Sequence, residues 1–338
     1  MNGRVRPLAV LVLCLLVLSG CRPAVVSAPA PPAIPPVVLE PAPTAPPAAT
    51  NGRIAREHLV NLSSGIGARL AGSLEEAEAA AYIEAAFEDY GYDVQVQPFW
   101  FLDEDDEEIE SANVIAVKPG SSALEIVVGA HYDSGDEAEG ADDNASGVAV
   151  MLEVADMLQS VQTPYTVRFI AFGAEEVDME GSRYYVGQMS PAEIQNTVAM
   201  INLDSLIAGD IAYVYGDAGA GTLRDWILEM APEAGFDLEG RTAQELDEDD
   251  GTPCDCADYG PFQEVGIPFA YFEATNWNMC ARDGMTQVDP SFGEAGVIRH
   301  TEYDTVQRIE QLFPGRIDQH LNLFVTLLYN TLTQFVAL

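Results

Sequence analysis

The sequence predicts an α/β fold, a three-layer sandwich in which helices flank a mostly parallel central sheet. Short apolar runs typical of buried strands alternate along the chain with longer segments whose apolar residues recur at helical spacing. This alternation is typical of parallel sheets that are covered by helices on both faces. Polar residues also follow several of the predicted strands directly, at the position where α/β proteins place their functional sites.

The elements can be justified in chain order. A helix is predicted at 73–90, where Ala, Glu and Leu dominate and Gly91 ends the pattern. Alternating hydrophobicity predicts a strand at 93–101, and the acidic run at 103–110 predicts a solvated loop. Further strands are predicted at the apolar runs 113–117, 124–130, 166–172, 198–203, 211–215 and 267–272. Further helices are predicted at 145–158, 180–189, 222–230 and as a pair within 304–335 that divides near Pro314.

The N-terminus has the pattern of a targeting segment. Arg4 and Arg6 precede an apolar run at 8–18 that is short for a membrane span. The small residues before Cys21 resemble the lipobox of bacterial lipoproteins, so residues 1–21 are interpreted as a lipoprotein-type signal segment with Cys21 as the lipid anchor. An ordinary secretory signal and an uncleaved anchor are the alternatives. All three interpretations place the rest of the chain outside the cytoplasm, in the bacterial cell envelope or, without lipidation, secreted.

Two further regions follow the signal segment. Residues 22–50 contain ten prolines, which prevent helix and sheet hydrogen bonding, so this stretch is predicted to be a disordered tether. Residues 51–338 have the length of one large domain.

The composition excludes several classes of protein. The 338 residues include 15 Lys and Arg against 54 Asp and Glu, a formal charge of −39. A nucleic-acid partner is therefore not expected, because such binding needs a basic surface. Wholesale disorder is excluded because 48% of the residues are hydrophobic.

Groups of polar residues follow the predicted strands. His131-Tyr132-Asp133-Ser134 comes after 124–130, Gly173-Ala174-Glu175-Glu176 after 166–172, and Asp204 after 198–203. Asp142-Asp143-Asn144 precedes the helix at 145–158, and His300 lies far downstream. Each group alone has an ordinary explanation, such as a structural histidine, surface charge or a helix N-cap. Carboxylates that converge at one sheet edge repel one another unless a cation neutralises them, and imidazole with carboxylate suits Zn²⁺.

The motifs together resemble those of the M28 family of dizinc aminopeptidases. The patterns His-x-Asp-Ser, Gly-Ala-Asp-Asp-Asn-x-Ser-Gly, Gly-Ala-Glu-Glu, Asn-x-Asp and His-Thr-x-x-Asp-Thr occur in the family's order and spacing, over roughly residues 55–335. Two stretches, 271–278 and 311–317, are similar to the subgroup that contains the alkaline phosphatase isozyme conversion aminopeptidase.

The resemblance implies a zinc exopeptidase-like fold, two Zn²⁺ ions per chain and hydrolysis of the N-terminal peptide bond of peptides or proteins by a metal-activated water. Other divalent ions stay open. Glu175 is implied as the general base, and Asp133 as the residue that orients the ring of His131. Asp142 is implied as a ligand that bridges both metals. The full set of implied metal ligands is His131, Asp142, Glu176, Asp204 and His300.

Two positions depart from the family pattern. Tyr259 stands where many members have histidine, so no catalytic role is assigned to it. Arg299 stands where some members have tyrosine, and both a structural salt bridge and stabilisation of an oxyanion are open for it.

Other features leave alternatives open. Glutaminyl cyclase-like chemistry, carboxypeptidase activity and a non-catalytic binding domain remain as competing functions. The acidic run at 245–250 is either a solvated loop or part of a cleft that prefers a basic N-terminal residue. Cys254 or Cys256 could form a disulfide with Cys280.

Overall fold

The computed structural model describes residues 51–103, 106–135, 138–242, 257–277, 287–289, 291–292 and 296–337. The predicted signal segment and tether, the acidic run at 245–250, and the cysteines Cys254, Cys256 and Cys280 lie outside the described residues. No helix in the described ranges is both long enough and apolar enough to cross a bilayer.

The centre of the protein is an eight-stranded mixed sheet with the order β1-β2-β4-β3-β5-β8-β6-β7. The four central strands β4, β3, β5 and β8 run parallel. On one side β2 pairs antiparallel with β4 and β1 antiparallel with β2, and on the other side β6 pairs antiparallel with β8 and parallel with β7. The strands are β1 (Val94–Leu102), β2 (Glu108–Lys118), β3 (Ser122–His131), β4 (Tyr165–Phe172), β5 (Thr197–Leu203), β6 (Ile211–Gly216), β7 (Glu239–Thr242) and β8 (Phe269–Thr275).

Helices cover both faces of the sheet. Among the described helices, four begin at a hydroxyl N-cap that accepts a backbone N–H, at Ser73, Ser190, Thr222 and Thr305. A π-helical turn at Asn61–Ile66 follows α1, and another at Ala141–Ala145 precedes α3. The helices are α1 (Arg53–Val60), α2 (Leu74–Asp89), α3 (Ser146–Leu158), α4 (Glu180–Gln188), α5 (Pro191–Asn196), α6 (Leu223–Glu233), α7 (Tyr259–Glu264), α8 (Val306–Leu312) and α9 (Arg316–Gln334).

Alternation along the strands divides the apolar core between the two faces. In β4, Phe169 and Ala171 contribute to the larger cluster, which packs against α1, α2, α3, α6 and α9. Ile170 and Phe172 contribute to the smaller cluster, which packs against α4 and α7. Because successive side chains point to opposite faces, this division produces three layers. The predicted α/β sandwich is confirmed.

Most predicted elements lie within a few residues of the observed ones, and the differences have local causes. The strand β2 begins at Glu108, inside the predicted acidic loop, because it pairs with β1 through the register Leu102↔Glu108. Its charged residues Glu108 and Glu110 are exposed and alternate with Ile109, so the charge does not oppose the pairing. The short elements α1, α5, α7 and β7 were not predicted, because their form depends on packing more than on local pattern.

Candidate metal centre

The polar residues meet where the parallel strands end. His131 is the last residue of β3, Glu175 and Glu176 follow β4, and Asp204 follows β5. Parallel strands point their carboxyl ends to the same edge, so residues far apart in the chain become neighbours. The turn before α3 and the loop before α8 reach the same edge and add Asp143 and His300.

Within the described ranges, two groups of potential ligands form there. In each group one ligand atom per residue lies within 4.8 Å of the others, and the members are His131, Glu175 and Asp204 in one group and Asp143, Glu176 and His300 in the other. Asp143 lies between the groups. Its Oδ1 is 3.1 Å from Nε2 of His131, and its Oδ2 is 3.0 Å from Nε2 of His300. The arrangement therefore offers two adjacent ion positions with one shared carboxylate.

The structure corrects the sequence prediction for Asp142. The carboxylate of Asp142 accepts hydrogen bonds from the backbone N–H groups of Ile207 at 2.7 Å and Ala208 at 2.9 Å, and from Nε2 of Gln287 at 2.5 Å. It is fully buried in these contacts and belongs to neither ligand group. The place between the groups belongs to Asp143. Neighbouring residues in a tight turn point in different directions, and the sequence motif alone does not show which of them faces the site.

Hydrogen bonds to residues that are distant in sequence hold the turn that carries Asp143 in place. Asp304 accepts from the backbone N–H of Asp142 at 2.6 Å and from that of Asp143 at 3.0 Å. Asn144 donates to the carbonyl of Leu203 at 2.8 Å and accepts from the N–H of Gly147 at the same distance. These contacts fix the direction of the Asp143 side chain relative to the end of β5.

Asp133 holds a second segment of the site. Its Oδ1 accepts from the N–H of Glu175 at 3.0 Å, and its Oδ2 accepts from that of Glu176 at 3.1 Å. The same Oδ1 lies 3.4 Å from Nδ1 of His131. Asp133 therefore lies beside His131 and also accepts hydrogen bonds from the turn after β4.

Glu175 and Glu176 point to different parts of the site. Oε2 of Glu175 is 3.7 Å from Nε2 of His131, and Oε2 of Glu176 is 3.3 Å from Nε2 of His300. Asp204 lies near Glu175, with its Oδ1 3.6 Å from Nε2 of His131. The two adjacent glutamates thus serve the two groups separately.

The acidic surroundings shift the ionisation of the site. Burial raises the pKa of Glu175 well above its ordinary value; the charge of His131 opposes this, and the charges of Asp258 and Asp204 add to it. Burial and the charge of Asp143 raise the pKa of Glu176 to about 8. Burial by itself would lower the pKa of His131, but the surrounding carboxylates raise it well above its ordinary value.

The donor set fits a bound cation. Within the part of the chain that the structure describes, neither ring nitrogen of the buried His131 has a hydrogen bond of good geometry, and the same holds for Oε1 of Glu176. Buried polar atoms seldom stay without partners. Carboxylate and imidazole ligands are those that Zn²⁺ prefers, and the cation would relieve the repulsion among the carboxylates.

The two departures from the family pattern have separate explanations. Nη2 of Arg299 lies 2.6 Å from Oε1 of Glu273, so the structural salt bridge is formed, while its Nε is 3.9 Å from Oδ2 of Asp143. Tyr259 is buried and stacks on Phe269 with ring centroids 4.2 Å apart. Its position is that of a packing residue.

One residue near the site was missed by the sequence reasoning. Asp258, at the N-cap of α7, is 1% exposed and lies close enough to Glu175 for its charge to affect the pKa there. Burial, with added repulsion from Asp133 and Asp204, raises the pKa of Asp258 to about 7. The available sequence signal was its place directly before Tyr259.

Comparisons with known proteins show the family of this chain. A family model described as Peptidase family M28 matches residues 113–325. The alkaline phosphatase isozyme conversion protein of Escherichia coli is 31% identical over 282 residues, which are 74% of this chain and 81% of that protein. Aminopeptidase YwaD of Bacillus subtilis is 32% identical over 208 residues, 60% of this chain but only 41% of the relative.

Solved structures share the fold at low sequence identity. The zinc aminopeptidase BSAP of Bacillus subtilis superposes with a TM-score of 0.67 at 20% identity, covering 85% of this chain and 97% of that chain. A glutaminyl cyclase of Porphyromonas gingivalis superposes with a TM-score of 0.63, also at 20% identity, covering 84% and 99%.

The fold is that of the zinc exopeptidases, and the site is a pair of carboxylate–imidazole groups with a shared aspartate. The chain belongs to peptidase family M28. It is therefore a hydrolase of peptide bonds, as the sequence predicted.

Proposed function

We propose that this protein is a zinc-dependent aminopeptidase that removes residues from the N-termini of peptides or proteins, with Glu175 as the general base. The observation that carries the proposal is the position of Asp143 between His131 and His300, with the Glu175 carboxylate beside His131. The proposed metal ligands are His131, Asp143, Glu176, Asp204 and His300.

The residues of the chain have distinct tasks in this mechanism. Two zinc ions held by the ligands would polarise the scissile carbonyl and lower the pKa of the attacking water. Glu175 takes a proton from that water and returns it to the leaving amine. Asp133 keeps Glu175 in place through its backbone N–H.

A direct test is the release of Arg, Lys, Leu and Ala from aminoacyl chromogenic amides by the purified protein, with and without chelator and added Zn²⁺. We expect chelator-sensitive release that falls by about 10²- to 10⁴-fold in Glu175→Gln, because this variant cannot accept the proton. Glu78→Gln is the matched control, since Glu78 is exposed on α2 and should leave the rate unchanged. No release from any amide by protein that holds two metal ions would exclude the aminopeptidase.

Glutaminyl cyclase chemistry is the second candidate, because solved structures of such enzymes share the fold. The presence of two ligand groups favours the peptidase, since cyclase chemistry of this type needs one zinc. Cyclisation of an N-terminal glutamine in place of amide hydrolysis would support the cyclase. Release of C-terminal residues instead would support a carboxypeptidase, and a protein that binds no metal would support a binding domain.

We also propose a preference for basic N-terminal residues. The support is the formal charge of −39 and the acidic run at 245–250, which attract cationic ligands over a distance. We expect kcat/KM for arginyl amides to exceed that for alanyl amides at low salt, and the ratio to shrink as salt screens the charges. Equal kcat/KM values at low salt would contradict the preference.

The cellular location is proposed from the N-terminal segment. We infer that Cys21 carries a lipid anchor and that residues 22–50 act as a tether to the domain. The probable lipoprotein aminopeptidase LpqL of Mycobacterium tuberculosis is 34% identical over 172 residues, 47% of this chain and 33% of the relative. Fatty-acid labelling that is lost in Cys21→Ser would support the anchor, and equal labelling of both proteins would contradict it.

A further inference from the structure

The turn after β4 is fixed by an unusual set of side-chain acceptors. It comprises residues 173–176, and all four of its backbone N–H groups donate to side chains from other elements. The N–H of Gly173 donates to Oδ1 of Asn113 at 3.3 Å, and that of Ala174 to Oε1 of Glu76 at 3.2 Å. The next two donate to Asp133, as described above. Three side chains from α2, β2 and the end of β3 therefore hold the turn that presents both glutamates.

The acceptor from α2 is Glu76, a buried carboxylate that accepts three hydrogen bonds. The carboxylate of Glu76 is 2% exposed and also accepts from Oγ of Ser111 at 2.7 Å and from the N–H of Gly72 at 2.6 Å. Its Oε1 is shared between Ser111 and Ala174, so the side chain joins β2 to the turn. A Cβ added to Gly173 would lie 2.3 Å from Oγ of Ser111 and 2.9 Å from Oε1 of Glu76, which shows how closely the turn approaches this pair.

The turn needs such support. Ala174 has a φ of 54°, a left-handed conformation that is strained for a residue with a side chain. The side chain of Ala174 is fully buried against Phe99 and Phe101, and this apolar packing helps to hold the strained conformation. The bond from Glu76 to the N–H of Ala174 restrains the peptide immediately before Glu175.

We propose that Glu76 is a positioning residue for Glu175 and Glu176, acting through the backbone of Ala174. This inference rests on the proposed function of the two glutamates. Glu76 lies outside both ligand groups, so its effect passes through the geometry of the turn. Supporting contacts of this kind typically change metal affinity or activity by about 10- to 100-fold when they are removed.

The test separates the reach of the side chain from its charge. Glu76→Asp keeps the charge but shortens the side chain, so its carboxylate no longer reaches the N–H of Ala174. Glu76→Gln keeps the reach and an acceptor oxygen for Ser111 and Ala174, but it loses the charge and the bond from the N–H of Gly72. Burial and the charge of Asp133 raise the pKa of Glu76 to about 7, so a neutral side chain is compatible with this site near neutral pH.

The matched control is Glu153→Asp on α3. Glu153 is also a buried glutamate that accepts from two backbone N–H groups, those of Gly52 at 2.8 Å and Ala55 at 2.6 Å. These contacts hold the start of α1 and do not involve the turn. The control therefore reports what a shortened buried carboxylate costs in folding stability alone.

The measurements are zinc affinity by calorimetry, kcat and KM on an aminoacyl amide, and urea unfolding. We expect Glu76→Asp to weaken zinc binding by about tenfold and to lower kcat by about 10- to 100-fold with KM nearly unchanged. Glu76→Gln should stay within about threefold of the unmodified protein in both quantities, by the same argument. Glu153→Asp should lose stability and keep zinc affinity and kcat.

The proposal is overturned if Glu76→Asp keeps zinc affinity and kcat within about twofold of the unmodified protein. It is also overturned if Glu153→Asp loses as much zinc affinity and kcat as Glu76→Asp does, because loss of stability then explains both variants. Zinc affinity is measured without substrate. If the unmodified protein binds zinc and cleaves no amide, the proposed function fails, and the affinity comparison still decides the role of Glu76.

Discussion

At the scale of single residues, hydrogen bonds determine which of two adjacent aspartates in the turn before α3 faces the site. Asp142 and Asp143 have the same chemistry, and the motif that contains them does not distinguish their directions. The backbone N–H groups of Ile207 and Ala208 donate to the carboxylate of Asp142, while Asp143 faces the two histidines. Burial by itself would raise the pKa of Asp143, but the nearby imidazoles of His131 and His300 hold it well below its ordinary value.

The two aspartates should respond differently to substitution by asparagine. We expect Asp143→Asn to weaken zinc binding by more than about tenfold, since the shared carboxylate charge is lost. Asp142→Asn should still bind two zinc ions but lose about 1–3 kcal/mol of unfolding free energy. Its remaining oxygen can still accept from the N–H groups of Ile207 and Ala208, but its NH2 group replaces the oxygen that accepts from Nε2 of Gln287. Metal content by mass spectrometry and urea unfolding check both variants. Loss of zinc in Asp142→Asn with retention in Asp143→Asn would restore the original assignment.

At the scale of elements, the packing of α1 against α2 depends on a neutral histidine. His58 lies between two tyrosine hydroxyls, with Nδ1 2.7 Å from that of Tyr82 and Nε2 2.7 Å from that of Tyr90. A neutral imidazole supplies one donor and one acceptor, which suits two hydroxyls. Burial lowers the pKa of His58 to about 4, despite the nearby charge of Glu57.

This histidine should make the protein sensitive to acid. Between pH 6.5 and 4 the unfolded chain binds a proton at His58 that the folded chain does not, so stability is lost as the pH falls through this range. Between pH 7 and pH 5 the loss should be about 2 kcal/mol. Urea unfolding of His58→Gln should show a correspondingly smaller loss, since glutamine donates and accepts without titrating. His320, whose pKa burial also lowers to about 4, is present in both proteins and cancels. Equal pH slopes would contradict the assignment.

A buried arginine joins the segment before α2 to the end of β3. Arg69 is fully buried, and its guanidinium donates to five backbone carbonyls, those of Leu62, Gly67, Tyr132, Glu139 and Gly140. The last two carbonyls lie directly before the turn that carries Asp143. Arg69 thus links several loops around the site without touching the ligands.

Replacement of Arg69 by lysine should be costly although the charge is kept. Lysine has three donors on one nitrogen and cannot reach five carbonyls arranged around a planar group. We expect Arg69→Lys to lose about 3 kcal/mol or more of unfolding free energy, since buried carbonyls are left unpaired. Arg53→Lys is the control, because Arg53 pairs with Glu57 on the exposed surface of α1 and should change stability by less than about 0.5 kcal/mol. A loss below about 1 kcal/mol for Arg69→Lys would show that the carbonyls find other partners.

At the scale of the whole molecule, the site connects the ends of three parallel strands with the turn before α3 and the loop before α8. Cations bound in the two groups would together hold segments that are up to 169 positions apart, from His131 to His300. Without a cation, the carboxylates repel one another in a buried environment. Metal content should therefore control the stability of the entire domain.

Removal of metal should lower the melting temperature, and zinc should restore it. At a free zinc concentration of 100 times Kd, binding adds about 2.7 kcal/mol of stability. Mg²⁺ at the same concentration is the control and should restore less, because it binds imidazole poorly. Calorimetric scans before and after chelation check this. Identical melting temperatures for chelated and zinc-loaded protein would show that the groups hold no structural ion.

The sequence by itself determined the α/β class and most strands and helices, because periodic hydrophobicity depends on which residues face the core. It also indicated that His131, Glu175, Glu176 and Asp204 lie close together, since polar residues directly after buried strands lie at one edge of a parallel sheet, while His300 followed from the family resemblance. Asp133 beside His131 followed from the family resemblance.

Only the tertiary structure decided which of two adjacent aspartates faces the histidines, and that Arg299 pairs with Glu273. It also showed Asp258 beside the site and the contact from Glu76 to the turn after β4. The physical reason is the same in each case. A side chain's direction is set by hydrogen bonds to groups that are distant in sequence, such as the N–H groups of Ile207 and Ala208 for Asp142. The local sequence pattern does not show which distant groups these partners are.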